Sequence, residues 1–471
     1  MTQHHKCAVF LFTRDLRTSD NTSLIELTNK YRNTCYILPL FIFNPEQVGA
    51  NNAYRSAPAI RFMCECLADL QTTKIPDMMF YQGNPATIIA RIHAIVPIQA
   101  IALNHDYTPF AIAREEALLA LSKKIGADFI CRPDYLLLPE FVLNKSNQVY
   151  VKFSPFHRAA LAKRAPDTPT ALHSVFASRG ICAKFSPLSL SAAAPKYASL
   201  LPRDYSPNVV GGRSHALTLM KHIASTSIAR TYLKSRDYPA ASTTNLSAYI
   251  KYGTVSIREV YYFMRNTLKL PKNHALIKQL YWREFYTVIL HKHPRVLGHA
   301  MRKSYSVKWS HDMTKFAAWT AGKTGFPLVD AGMRQIAATG YMHNRVRMVV
   351  ADFLIKLLHI DWRIGEKYFA TQLIDYDTAV NNGSWQWQAG SGTDSQPYYR
   401  IYNPWIQAYK FDRECEYIKK WVPELRDVPP KDIIKWNKTY KEYTSKGIYI
   451  APIIDYVKEK KIAIKLLAAV H

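Results

Sequence analysis

The runs CAVFLF (7–12) and CYILPLFIF (35–43) decide the fold. Both are apolar and of strand length, and further such runs follow at DMMFY (77–81), IQAIALN (98–104) and DFIC (128–131). Helical patterns separate them, as in APAIRFMCECLADL (57–70). Strands alternating with helices predict an α/β, Rossmann-like domain with a parallel sheet and crossover helices over residues 1–140. A dinucleotide site of the NAD type needs a glycine-rich turn after the first strand. The first glycine of this chain is Gly49, so that mode of binding is excluded.

Beyond the sheet the character changes. Residues 141–215 read as an inter-domain connector: within 155–214, prolines fall at 155, 166, 169, 187, 195, 202 and 207 among many Ser and Ala, which argues against a core there. Residues 216–471 carry helical patterns with little strand character, and all nine tryptophans lie at or after Trp282. FPLVDAGMRQIAATG (326–340) opens with Pro327 and closes with Gly340, the punctuation of a helix. MHNRVRMVVADFLIKLL (342–358) reads as the next helix.

At 471 residues the chain is long enough for two sizeable cores. Lys plus Arg number 62 against 35 Asp plus Glu, a net charge of +27 that favours a polyanionic partner. The N-terminus lacks a signal-peptide layout, and no apolar run reaches the length of a membrane span. The seven cysteines form no CxxC pair and no Cys/His cluster in sequence, so no metal site is expected.

Four groups of residues carry chemistry. Thr243, Thr244, Asn245, Leu246 and Ser247 offer hydroxyls and backbone N–H groups at a helix start, fit for an anion or for a plain N-cap. Gln279, Trp282, Arg283 and Tyr286 share one helix face, a poor core stripe and a good surface for stacking on a base. Asn344, Arg347 and Met348 repeat that spacing, reading equally as a mixed pocket wall or an amphipathic surface. Asp375, Asp377 and the stretch Asn381 to Trp387, followed by Asp394, Arg400 and Gln407, are dense in Trp, Asn and Asp. Buried amides and carboxylates need partners, so this composition suits a polar cofactor site. Gly322-Lys323-Thr324 lacks the upstream glycine of a phosphate loop, Gly390-Ser391-Gly392 lacks the third glycine of a dinucleotide turn, and His343 reads as structural or solvent-facing.

FTRDLRTSDN (12–21), YWREFY (281–286), MHNRVRM (342–348), IDWRIGEKYF (360–369) and NNGSWQWQAGSGTDSQPYYRIYNP (381–404), in this order, resemble the photolyase/cryptochrome family, most of all its cyclobutane pyrimidine dimer branch. The resemblance implies an all-α C-terminal domain holding FAD, active when reduced. It places Tyr232 and Thr243 to Ser247 at the FAD phosphates and ribose, and Asp375 and Asp377 at the flavin ring and ribitol, with Arg347 paired to Asp375. Asn381 falls beside flavin N5, and Trp385, Trp362 and Trp309 form an electron-carrying line from the flavin to the surface. The implied partner is UV-damaged DNA, held through its phosphates with the lesion flipped into a pocket. Trp282 and Trp387 match that pocket's aromatic walls; Gln279, Arg283, Asn344, Arg345, Met348, Arg400 and Gln407 fall to substrate or DNA. The chain is expected to act as an intracellular monomer without metal or membrane.

Gln279 departs from the Glu usual in cyclobutane dimer enzymes and matches the (6-4) photolyases and animal cryptochromes. Asn344 and Met348 point back, because the (6-4) enzymes carry histidines at those two positions. A cryptochrome light sensor is the competing class; such proteins append a long tail, and this chain ends near the end of the family's catalytic core. Folate-binding relatives have an Asn-Glu pair where this chain has Phe110 and Ala111, so folate in its usual mode is not expected. The antenna pigment stays open between a deazaflavin, a second flavin and none.

Overall fold

The computed structural model describes residues 6–164, 166–171, 176, 201, 205–302 and 305–470. The five apolar runs are strands: β1 Cys7–Phe12, β2 Tyr36–Phe43, β3 Met79–Gln82, β4 Ile98–His105 and β5 Asp128–Pro133. They form one parallel sheet in the order β3-β2-β1-β4-β5. Helices α1 Thr22–Tyr31, α2 Ala57–Thr73, α3 Pro85–Ile95 and α4 Pro109–Ile125 connect successive strands. Each starts at a side chain that accepts a free first-turn N–H: Asn21, Ser56, Asn84 and Thr108. Gly126, at φ +69°, ends α4 in the left-handed conformation that glycine adopts without strain.

The two faces of the sheet have different neighbours. Val9, Leu11, Leu40 and Leu103 pack with α3 and α4 into a closed apolar layer. Ala8, Phe10, Phe12 and Phe41 instead join a core that runs on into the helical part through Tyr252, Tyr281 and Phe285. A second helical core gathers around Trp319, Phe353, Trp362, Trp385 and Trp436.

The connector expected from 155 onward begins as structure. Helix α5, Phe153–Ala162, buries Phe153, Phe156 and Ala160. Pro155 is tolerated because it lies in the first turn, where its missing N–H has no helical acceptor. Much of the remaining proline-rich stretch, Cys182 included, lies outside the described residues.

The helical part contains α6 Ser247–Lys251, α7 Ala275–Lys292, α8 Pro327–Thr339, α9 Asn344–Asp352, α10 Trp362–Gln372, α11 Thr378–Ala389, α12 Pro404–Phe411 and α13 Tyr456–Ala468. Helix α8 has the expected bounds, with Gly340 at φ +67° as its C-cap. Helix α9 starts two residues later than its periodicity implied, because the His343 side chain caps it by accepting the Arg345 N–H. His343 is buried, which pushes its imidazole down to about 4 and keeps it neutral for that bond. Among the described residues, no helix is long and apolar enough to cross a membrane.

Candidate functional site

Polar residues singled out in three separate segments of the sequence come together. Asp375 is their meeting point. It accepts from Arg347 at 3.0 and 3.1 Å and from the Ser247 hydroxyl at 2.8 Å. Arg347 is steadied by a further bond to the Met342 carbonyl. Thr243 lies within 3.3 Å of both Asn245 Oδ1 and the Tyr341 hydroxyl. Asn245 holds φ +49°, a strained backbone that turns the 243–247 loop into α6. Tyr232 and Thr244 are half-buried and Leu246 is buried, so the loop rests on the core while the Ser247 hydroxyl reaches Asp375.

On α11, Asn381 donates its amide N–H groups to the Glu366 carboxylate at 2.9 Å and to the Glu366 backbone carbonyl at 3.2 Å. The Asn381 oxygen is thereby turned away from Glu366. Burial pushes the Glu366 carboxyl up to about 7, against hydrogen bonds from Asn381 and Tyr376 that pull it down. Glu366 was not singled out in the sequence, although it sits one helical turn after Trp362 on the same face of α10.

The three tryptophans differ in depth. Trp385 and Trp362 are buried, and Trp309 is half-buried. Trp385 packs edge-on to Phe369 at 5.0 Å between centroids. Gly365 lies against the Trp385 ring so closely that a Cβ there would approach it to 2.3 Å. Trp362 and Trp309 line a cleft of about 240 Å³ with Arg295, His299, Tyr305 and Arg363.

Residues read as lesion or DNA contacts divide into two sets. Gln279 is exposed, with one amide N–H donated to the Ala275 carbonyl at 3.1 Å. Asn344 is exposed and touches Met348 across one turn of α9, Nδ2 to Sδ 3.9 Å. Arg400 is exposed, Trp387 is half-buried, and the Gln407 amide oxygen is buried without a partner. Trp282 is backed by Phe153 in parallel contact at 3.6 Å, so one of its faces is already covered.

Two arginines of this group have partners within the protein. Arg283 lies over the Tyr135 ring at 3.3 Å and donates to the Tyr135 carbonyl at 2.7 Å, so it joins the helical part to the segment after β5. Arg345 is paired to Asp237 at 2.7 Å and lies over Phe411. Neither the helical spacing that singled out Arg283 nor the resemblance that singled out Arg345 could show these partners from other segments.

Asp377, which the resemblance places at the flavin, has several partners within the protein. Its carboxylate caps α11 by accepting the Ala379 and Val380 N–H groups, accepts from Arg14 at 2.7 Å, and accepts from the Tyr135 hydroxyl. Burial alone would raise its pKa; Arg14 and Arg283 more than reverse that and hold the carboxyl well below the usual range. Arg14 also pairs with Asp106. The FTRDLRTSDN motif is thus a buried inter-element clamp. Arg17 bonds Asp134 at 2.6 Å, and Arg258 bonds Asp134 and Asp20 at 2.8 and 2.9 Å.

Chemically, the donor set suits a phosphorylated, nucleotide-like cofactor. Hydroxyls and a guanidinium serve phosphate and ribose, and an oriented amide and carboxylate serve the polar edge of a heteroaromatic ring. Together with three oxidisable tryptophans, two of which line a basic cleft, the site suits a protein of the light-driven flavoprotein class. The comparisons agree. Residues 8–173 match the DNA photolyase model, and residues 276–469 match that of the FAD binding domain of DNA photolyase. A deoxyribodipyrimidine photo-lyase of Synechococcus sp. is 34% identical over 96% of this chain and 94% of its own length. An archaeal photolyase of Sulfolobus tokodaii, solved with two FAD molecules, superposes with a TM-score of 0.84 at 34% identity, over 99% of this chain and 100% of its own. A bacterial class III photolyase of Agrobacterium tumefaciens superposes at 0.89 and 30% identity, over 100% of this chain and 98% of its own. This chain belongs to the DNA photolyase family, and FAD is its cofactor.

Proposed function

We propose that the chain repairs cyclobutane pyrimidine dimers in UV-damaged DNA by a light-driven electron transfer, working inside the cell. The observation that carries this reading is the contact between Asn344 and Met348 on the exposed turn of α9. These side chains stand where (6-4) chemistry needs histidine, on a chain similar over nearly its whole length to deoxyribodipyrimidine photo-lyases. In this reading residues 1–140 form the antenna domain, 141–215 the connector and 216–471 the catalytic domain.

The net charge of +27 draws the chain to DNA phosphates, with Arg400 among the exposed contacts. Affinity then falls with salt, log K dropping by about 0.9 per log unit of salt for each phosphate neutralised. A dimer is badly stacked, so flipping it out of the duplex is cheaper than flipping a normal base. Trp282, stiffened by Phe153 behind it, and Trp387 wall the pocket, and stacking contributes roughly 1–3 kcal/mol per base. Gln279, Asn344 and the unpartnered Gln407 oxygen bond the polar edges of the lesion. Ser247, Thr243 and Arg347 hold the cofactor's polar groups, Asp375 orients Arg347, and Asn381 faces the flavin with its oxygen, positioned by Glu366. Reduced FAD, when bound and excited by light, supplies the electron that splits the cyclobutane ring. The electron returns from the separated bases to the cofactor, so repair consumes no reductant. Trp385, Trp362 and Trp309 would carry electrons from the surface only to bring oxidised cofactor to its reduced form.

The test is a repair assay with FAD-loaded, reduced protein on two oligonucleotides, one with a cyclobutane thymine dimer and one with a (6-4) photoproduct, in blue light and in darkness. Light-dependent restoration of the cyclobutane substrate alone is expected. Restoration of the (6-4) substrate, or of neither while Trp385-dependent photoreduction persists, would replace this reading with a (6-4) photolyase or a light sensor.

A further inference from the structure

The sheet brings together three side chains that no spacing rule connects. His105 closes β4, Cys131 lies on the neighbouring β5, and Glu115 lies on α4 above them. Leu103 and Cys131 are direct partners across the ladder, and His105 follows Leu103 by two residues. His105 and Cys131 therefore share the sheet face that α4 covers. A ligand atom from each of the three residues lies within 4.8 Å of the other two. His105 Nδ1 is 2.6 Å from one Glu115 oxygen. The other Glu115 oxygen accepts the Asp106 N–H at 2.9 Å, which fixes the direction of the carboxylate. Glu115 is buried, whereas His105 and Cys131 are half-exposed, so a small ion has access.

We infer that His105, Glu115 and Cys131 form a binding site for a divalent cation of the zinc class at the carboxyl edge of the sheet. Imidazole, carboxylate and thiolate together match the ligand preferences of Zn²⁺ and fit Mg²⁺ or Ca²⁺ poorly. Zn–N and Zn–O bonds near 2.0–2.2 Å and a Zn–S bond near 2.3 Å need the donor atoms about 3.3–3.8 Å apart. The observed separations, 2.6 Å for the His105–Glu115 pair and within 4.8 Å for the set, lie on either side of that range, so binding needs a shift of roughly 1 Å. Thiolate and carboxylate together neutralise the ion, and the proton between His105 and Glu115 and the thiol proton leave to solvent. Three protein donors leave one position open. His291 of α7 faces it from the helical part, its ring 6.4 Å from that of His105 and its Nδ1 buried without a partner. The site lies on residues to which the repair reading gives no role, so it stands or falls separately from that reading.

The test uses the full FAD-loaded protein, stripped of metal by chelation, equilibrated with Zn²⁺ alone and desalted. One zinc per chain is expected, lost in His105→Ala, Glu115→Gln and Cys131→Ser variants that retain their FAD. Loading the unmodified protein with Co²⁺ is a second readout that needs no variant. A thiolate-to-cobalt charge-transfer band in the difference spectrum against the zinc form is expected. No zinc retained, zinc retained equally by all three variants, or cobalt bound without a thiolate band would each overturn the inference.

Discussion

Single residues set the chemistry through the partners that aim them. Asn381 was legible as a site residue, but its orientation belongs to Glu366, which holds both of its N–H groups. Glu366→Leu should let the Asn381 amide turn, at a loss of about one hydrogen bond, or ~1 kcal/mol and roughly fivefold in repair yield. Glu366→Gln keeps an acceptor and should recover most of it, and yields measured on both variants decide the point. Gln279 is exposed and donates to a carbonyl of its own helix, so the lesion contact proposed for it would leave the fold undisturbed. A carboxylate accepts a pyrimidine ring N–H more strongly than an amide oxygen does, and when protonated it donates to a lesion carbonyl. Gln279→Glu is expected to raise the repair yield of the cyclobutane substrate, and an unchanged or lower yield would count against that role.

At the level of elements, the tryptophan line depends on how closely helices approach. Helix α10 carries both Trp362 and Gly365, and the bare Gly365 backbone is what lets the Trp385 ring of α11 lie against it. Helix α11 meets α7 by the same device, with Gly383 against the Tyr286 ring. Gly365→Ala should therefore destabilise the protein by about 1–3 kcal/mol through overpacking. It should also slow flavin photoreduction, because Trp385 must shift away. Transient absorption on the variant measures the second effect independently of the first. Element existence was readable in advance because apolar period and capping residues are local. Helix α5 was missed because prolines were counted without asking whether one falls in a first turn, where it is harmless.

For the whole molecule, the join between sheet and helices rests on buried charge. Asp134 sits between Arg17 and Arg258; burial pushes its carboxyl up, and the two guanidinium groups bring it down to about 2. Asp134→Ala strands buried Arg17 and leaves Arg258 with Asp20 alone, and should cost about 3–5 kcal/mol, read from chemical denaturation. Glu284 and Glu366 shift the other way. Burial lifts both from 4.5 to about 7, Glu284 while it accepts the Leu137 and Leu138 N–H groups. A raised carboxyl binds protons more tightly folded than unfolded. Its contribution is therefore complete below about 4.5 and lost as pH rises through about 7. Asp134, being lowered, contributes above about 4 and loses that as pH falls toward 2. Melting temperature should fall between pH 5 and 8, and Glu366→Gln should flatten part of that slope.

What the chain determined by itself was local or cumulative. Five apolar runs, their caps, the i, i+4 faces of α7 and α9 and an excess of 27 positive charges are properties of neighbours or of sums. The tertiary structure decided which faces were already taken. Arg14 and Asp377 are 363 residues apart, and their bond exists only because β1 ends where α11 begins. The stacking of Phe153 behind Trp282, the sandwich of Arg283 on Tyr135, and the meeting of His105, Glu115 and Cys131 follow the same logic. Side-chain partnership across a core depends on how layers pack, and packing is a property of all the elements together rather than of any stretch of chain.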